Sequence, residues 1–198
     1  MDASKDRREI DPETLERLRT IILELFAASL YHDVGIRSIC LQAKVSPKTI
    51  YKYFGNKEEI LYACIKQDMN RLNDMFMPAI NGHKSMAEKI KAIVNIWCDF
   101  YFAHPSIARI VFLNIPQGYW VGEHEFNQTA LHKVLFTVIS EGQQQGDAWN
   151  EVEADAINEV IMGAAHRLML RWLTTEKSSK EDIKRILIDC GLKLLLPC

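Results

Sequence analysis

Apolar residues recur at helical spacing along the chain and no run alternates between apolar and polar, so the pattern predicts an all-α fold. A first helix is predicted from Pro12, with Asp11 ahead of it and a stripe through Leu15, Leu18, Ile22, Leu25 and Phe26. The segment "RSICLQAK" reads as a short helix turning Ile39 and Ala43 inward. After a break at Lys44-Val45, Ser46-Pro47 is a start signal: the serine hydroxyl can cap free amides, and proline brings a preset φ and no orphan donor. Phe54-Gly55-Asn56 closes that second short helix. Lys57-Glu58-Glu59 then opens a longer one carrying Ile60, Leu61, Cys64, Ile65 and Met69. Two short helices across a tight turn, beside longer ones, form a helix-turn-helix.

Beyond Pro78 the predicted helices lengthen. Met86, Ile90, Ile93, Val94, Trp97 and Tyr101 share one stripe, and Pro105 starts a helix with Ile107, Ile110, Val111 and Leu113. Residues 116–122 read as a loop, followed by a helix through Phe126, Leu131, Leu135 and Ile139. The last two helices are apolar on more than one side. Ile157, Val160, Ile161, Ala164 and Leu168 form one stripe, Met162, Ala165 and Met169 widen it, and Ile183, Ile186, Leu187, Cys190, Leu194 and Leu195 form another. Such surfaces are covered either inside a monomeric bundle or by a second copy, the latter giving a homodimer through a four-helix interface.

At 198 residues, 48% hydrophobic and 25% charged, the chain can bury a sizeable core. The longest uncharged stretch, Ile110 to Gly122, is too short to cross a membrane, and "MDASKDRREIDPE" lacks the apolar core of a secretory signal. The expectation is a cytoplasmic protein with no membrane partner. Cys40, Cys64, Cys98, Cys190 and Cys198 are scattered and never spaced as CxxC, which argues against a disulfide framework or zinc site and leaves buried thiols or a redox sensor as readings. The net charge of −2 hides an asymmetry. Arg37, Lys44, Lys48, Lys52 and Lys57 fall in one stretch without an acidic residue, and removing those five charges leaves −7 on the remainder.

A charge run is commonly just a solvated face, but this one has more in it. Lys48 and Lys52 share a helix face beside Thr49, Tyr51 and Tyr53 add uncharged hydroxyl donors, and Ile50 with Phe54 supplies an apolar anchoring side. One short helix thus has a packing face and a reading face. The run from Ile39 to Glu58, "ICLQAKVSPKTIYKYFGNKE", together with Leu25-Phe26-Ala27, resembles the signature of the tetracycline-repressor (TetR) family, I-A-x-x-A-G-V-S-x-G-T-L-Y-x-Y-F-x-x-K-E. The resemblance covers roughly the first 60 residues. It implies an N-terminal three-helix DNA-binding domain over residues 1–56 and a larger helical ligand-binding and dimerisation domain over 57–198. It further implies a dimeric repressor that leaves a palindromic operator on double-stranded DNA when a small molecule binds. Departures from the pattern are Leu30, Gly35 and Lys44 where the family usually has glycine, threonine and glycine, together with Cys40 and Lys48.

Carried over by position, Arg37, Ser46, Tyr51 and Lys57 are expected at phosphates, and Lys48, Thr49, Lys52 and Tyr53 at base edges. Candidates for an effector pocket are Trp97, Tyr101, Phe112, Trp120, Phe136, Met162, His166 and Met169, each equally readable as core, and together suited to a flat or greasy ligand. His166 either orients a ligand or sits as an interior histidine. No cofactor or metal is expected: Glu123, Glu125 and His132 lack HExxH spacing, and GxSxG, P-loop and GxGxxG motifs are absent, so catalysis is not expected either. The competing reading is a helical ligand-binding or dimerisation protein without an operator, which leaves the basic segment without a role.

Overall fold

The computed structural model describes residues 10–82, 85–115, 128–175 and 178–196. Helices begin where the sequence caps them. Asp11 accepts a hydrogen bond from the Thr14 amide at 2.9 Å and Pro12 opens α1 (Pro12–Ala28). Gly35 precedes α2 (Ile36–Ala43) and offers no side-chain cap, as expected where the hydroxyl residue is missing. Ser46 accepts from the Thr49 amide at 3.1 Å at the start of α3 (Pro47–Tyr53). Asn56 and Glu59 form a reciprocal capping box, at 2.7 and 2.8 Å, that opens α4 (Lys57–Asn81). A second box, Ser85 with Glu88, opens α5 (Met86–Ala103). Caps of this kind contribute about 1 kcal/mol each.

Past the chain reversal at His104, α6 (Pro105–Arg109) runs directly into one turn of π-helix, Ile110–Asn114. Then follow α7 (Gln128–Gln145), α8 (Ala154–Thr175) and α9 (Lys180–Leu195), the last capped by Ser179. No strand occurs among the described residues. The all-α expectation and the helix starts at Pro12, Pro47, Lys57 and Pro105 hold.

α5 is the hub of the larger half. It packs against α4, α6, α7 and α9, with Ile90, Ile93, Trp97, Cys98 and Tyr101 buried. α1 joins the two halves, because it contacts α2 and α4 on one side and α6 and the π-turn on the other. Three polar ties fix it there. The Arg19 guanidinium donates to the Cys64 carbonyl at 3.1 Å and to the buried Asp68 carboxylate at 2.7 Å, both on α4. Arg17 donates to the Ala43 carbonyl at the end of α2 at 3.1 Å. The Asn114 amide donates to the Phe26 carbonyl at 3.4 Å and to the Arg109 carbonyl at 3.0 Å.

The turn between α2 and α3 explains one departure. Lys44 occupies the left-handed region, φ 53° and ψ 40°, which favours glycine. The strain of about 1 kcal/mol is offset by hydrogen bonds that close the turn, the Lys44 and Val45 amides both donating to the Cys40 carbonyl. A long exposed cation is thereby placed immediately before α3.

Candidate nucleic-acid interface and effector cavity

α3 buries only Ile50 completely, with Phe54 half-buried behind it, so every other side chain of its reading face is available. Lys48, Tyr51 and Lys52 are exposed, as are Arg37 and Lys44 on the preceding elements, while Thr49 and Tyr53 are half-buried. The Lys52 ammonium lies 5.0 Å from the centre of the Tyr53 ring. Ser46 is occupied locally: besides capping Thr49 its hydroxyl lies 2.9 Å from that of Thr49, so the pair orients itself at the mouth of the helix. Acidic side chains beside the basic stretch are also engaged. Glu58 accepts from the Tyr31 hydroxyl and Glu59 belongs to the capping box, so both are held at the start of α4.

Lys57 departs from the expected phosphate-facing role. Its ammonium donates to the Tyr31 carbonyl, sits 3.8 Å from the centre of the Tyr31 ring and 5.7 Å from that of Phe26, and is half-buried there. Burial lowers its pKa from the usual lysine value. It holds the start of α4 to the end of α1.

The larger half contains a cavity of about 30 Å³ between α5, α7, α8 and α9. Its walls are almost purely aliphatic, with Ile93, Val94, Leu135 and Ile161 among them, and of the candidate residues only Trp97 and Met162 line it. Tyr101, Phe112 and Met169 are buried but do not line this cavity, and the Tyr101 and Phe112 rings pack on each other. Trp97, Tyr101 and His166 each meet Phe112 edge-on, at 5.7, 4.8 and 5.3 Å between ring centres. The Tyr101 hydroxyl donates to Met69 Sδ at 3.8 Å, and full burial pushes its pKa up. His166 is half-buried and desolvation lowers its pKa. Phe136 is 43% exposed and turns away from the cavity that its neighbour Leu135 lines. Trp120, Glu123 and Glu125 lie outside the described residues.

The outer side of α8 and α9 carries a second feature, an open apolar groove of about 460 Å³. It is lined by Val160, Ala164, Leu168, Ile186, Cys190 and Leu194, with Arg167 at its edge. Val160 is 58% exposed although it falls on the stripe expected to be buried. The wide apolar surface of α8 therefore divides: Ile157, Ile161, Met162, Ala165 and Met169 face inward, while Val160 and Ala164 face out.

Residues 22–64 match the model of bacterial regulatory proteins, tetR family, and residues 65–196 match that of the YsiA-like protein, C-terminal region. The chain belongs to the TetR family. A curated relative, the fatty acid metabolism regulator protein of Bacillus subtilis (strain 168), is 22% identical over 157 residues, spanning 78% of this chain and 81% of the relative. The fold is shared with the fatty acid degradation regulator FadR from Bacillus halodurans, at a TM-score of 0.71 and 21% identity over 94% of this chain and 96% of that one. It is shared equally with FadR from Bacillus subtilis in complex with stearoyl-CoA, at 0.70 and 21% over 91% and 97%.

As a TetR-family protein this chain is a ligand-responsive, DNA-binding regulator of transcription. The family membership gives the three-helix head its partner, DNA, and the body its task, sensing a ligand. Burial raises the pKa of Cys64 and of Cys98 to about 12, and raises that of Cys40, so these thiols are poor nucleophiles. Among the described residues no group of His, Cys, Asp and Glu is arranged to hold a metal ion, and no helix is long and apolar enough to cross a membrane. The aliphatic wall and the buried polar residue beside it, Asn158, were not singled out by the sequence pattern. Ile, Val and Leu at helical spacing look the same whether they meet each other or a cavity.

Proposed function

We propose that this TetR-family regulator is a dimeric repressor whose effector is a long-chain acyl thioester of the acyl-CoA class. The supporting observation is the cavity wall: its aliphatic lining suits a flexible alkyl chain better than a flat aromatic molecule. A structural relative crystallised with stearoyl-CoA points to the same ligand class. At about 30 Å³ the cavity has room for a water molecule or two, whereas ligand pockets run to ~300–1,000 Å³. Binding therefore requires that the cavity open, and the displacement of its walls is the signal.

The route of that signal runs through Phe112. Trp97 lines the cavity and packs on Phe112, which belongs to the π-turn; two residues later Asn114 is hydrogen-bonded to Phe26 at the end of α1. Single π-turns of this kind cluster at functional sites and are poised to revert to α geometry. A push on Phe112 then shifts α1 and the head it carries, while α4, tied to α1 through Asp68 and Lys57, moves with it. Two α3 helices spaced for half-sites one DNA turn apart, ~34 Å, lose register with a displacement of a few ångströms.

The second copy docks through the α8 and α9 groove, whose exposed Val160 and Ala164 require cover. On DNA, Arg37, Ser46 and Tyr51 bear on phosphates and Lys48, Thr49, Lys52 and Tyr53 on base edges, with Lys57 holding the head together from behind. The test is selection of bound sequences from random duplex DNA near physiological salt, followed by challenge with hexadecanoyl-CoA. A palindrome with half-sites about one turn apart, released by the thioester, is the expected result. Enrichment of single half-sites would reject the dimeric reading, and retention of DNA by thioester-saturated protein would reject the effector class.

A further inference from the structure

Asn158, on α8, is completely buried, yet its Oδ1 has no hydrogen-bond partner. Its orientation is fixed by the other end of the amide. Nδ2 donates to the His132 carbonyl on α7 at 3.1 Å, a bond that an oxygen in that place could not make. Nδ2 also lies 3.3 Å from His132 Nδ1. The Glu159 carboxylate, 3.4 Å from His132 Nδ1, is mostly exposed and stands on the solvent side of the pair. Oδ1 is left as a buried acceptor without a donor, an arrangement that native proteins rarely keep without use.

The placement indicates the use. Ile161, Met162 and Ala165 are the cavity walls contributed by α8. At ~100° per residue their mean direction falls within about 20° of Asn158, one turn earlier on the same face. On α7, Leu131 and Leu135 line the same cavity and flank His132 along the helix. The polar pair is thus next to the cavity walls along both helices, one turn before those of α8, without itself lining the cavity.

We propose that Asn158 Oδ1 is a polar subsite of the effector cavity, taking a hydrogen-bond donor carried beside the effector's alkyl chain. The donor is an amide N–H of the cysteamine arm of a thioester or a hydroxyl on the chain itself. This deepens the acyl-thioester reading and rests on it. The same lone pairs repel a carboxylate, so the subsite separates acyl thioesters from free fatty acids.

Four compounds with a sixteen-carbon acyl chain test this by calorimetry on the full-length protein: S-hexadecanoyl-N-acetylcysteamine, methyl 3-hydroxyhexadecanoate, methyl hexadecanoate and hexadecanoate. At least one of the two donor-bearing compounds is expected to bind roughly tenfold or more tighter than methyl hexadecanoate, and hexadecanoate weakest. Whichever donor compound gains identifies the source of the donor. In Asn158→Leu the preference is expected to fall to within about twofold while methyl hexadecanoate still binds, a change of ratio that a purely structural asparagine would not produce. Equal binding of donor-bearing and donor-free compounds by the wild type overturns the subsite and leaves the alkyl reading intact. Failure of all four to bind overturns both. Persistence of the preference in Asn158→Leu, or in Asn158→Ala if the leucine variant does not fold, also overturns the subsite.

Discussion

The head and the body of this regulator hold their chemistry in opposite places. In the head the side chains proposed to meet DNA, Lys48, Tyr51 and Lys52, stand outside a small apolar anchor, and Ser46 caps the helix that carries them. In the body the proposed functional surface is inside, a small aliphatic cavity beside an aromatic cluster. A surface that meets DNA can be complete before its partner arrives, whereas a pocket of about 30 Å³ is completed only by opening. On the proposed reading, the contacts between them, Phe112, Asn114 and α1, carry the switch.

The comparison is broken most severely at the outer groove of α8 and α9, the proposed dimer surface. Val160→Asp places a charge in the outer groove of each copy, and sedimentation is expected to show monomers with operator affinity reduced about 100-fold or more. A dimer that survives would move the interface elsewhere. Lys48→Ala/Lys52→Ala strikes the head alone: at physiological salt operator affinity should fall about 10- to 100-fold, with the log–log salt slope smaller by about two and thioester affinity unchanged. Asn114→Leu cuts the connection. Operator and thioester should each bind, but the weakening of one by the other should shrink about tenfold, ~1.4 kcal/mol of coupling. Lys57→Met sharpens the contrast within the head, since removing a cation bound inward should leave the salt slope unchanged and lower unfolding stability by about 1 kcal/mol.

The smallest effect concerns His166. Burial depresses its folded-state pKa, so both states are neutral above the unfolded value of ~6.5 and the unfolded state takes up the proton first below it. Stability is therefore expected to decline as pH falls from about 6.5 through the folded-state pKa. His166→Phe should flatten that part of a thermal-unfolding series.

Most of the head was legible in the sequence because its signals are local. Asp11-Pro12, Ser46-Pro47 and Asn56 with Glu59 set helix starts within a few residues, and the spacing of Lys48 and Lys52 defines a face without reference to the rest of the chain. The inward contacts of Lys57 were not foreseen because its partners, Phe26 on α1 and Tyr31 in the turn after it, are about 30 residues away, a contact that helical periodicity does not encode. In the body, the apolar stripes gave the helices but not their neighbours. Tyr101 and Phe112 looked like walls and are core; Phe136 looked like a wall and is exposed; Ile93 and Leu135 looked like core and are walls. An aromatic at helical spacing is fixed to a face, and only packing of distant helices decides what that face meets. Of the sequence candidates only Trp97 and Met162 met the cavity, and Asn158 beside its α8 walls went unread, because a lone polar residue at helical spacing carries no sign of what it faces.

The most direct measurement is anisotropy of a labelled, selected operator bound to the dimer at ~0.15 M salt, titrated with hexadecanoyl-CoA while calorimetry follows its binding. Operator affinity is expected to fall at least about tenfold as the thioester saturates the protein. Saturation with no change in operator affinity would contradict coupling of the cavity to the head.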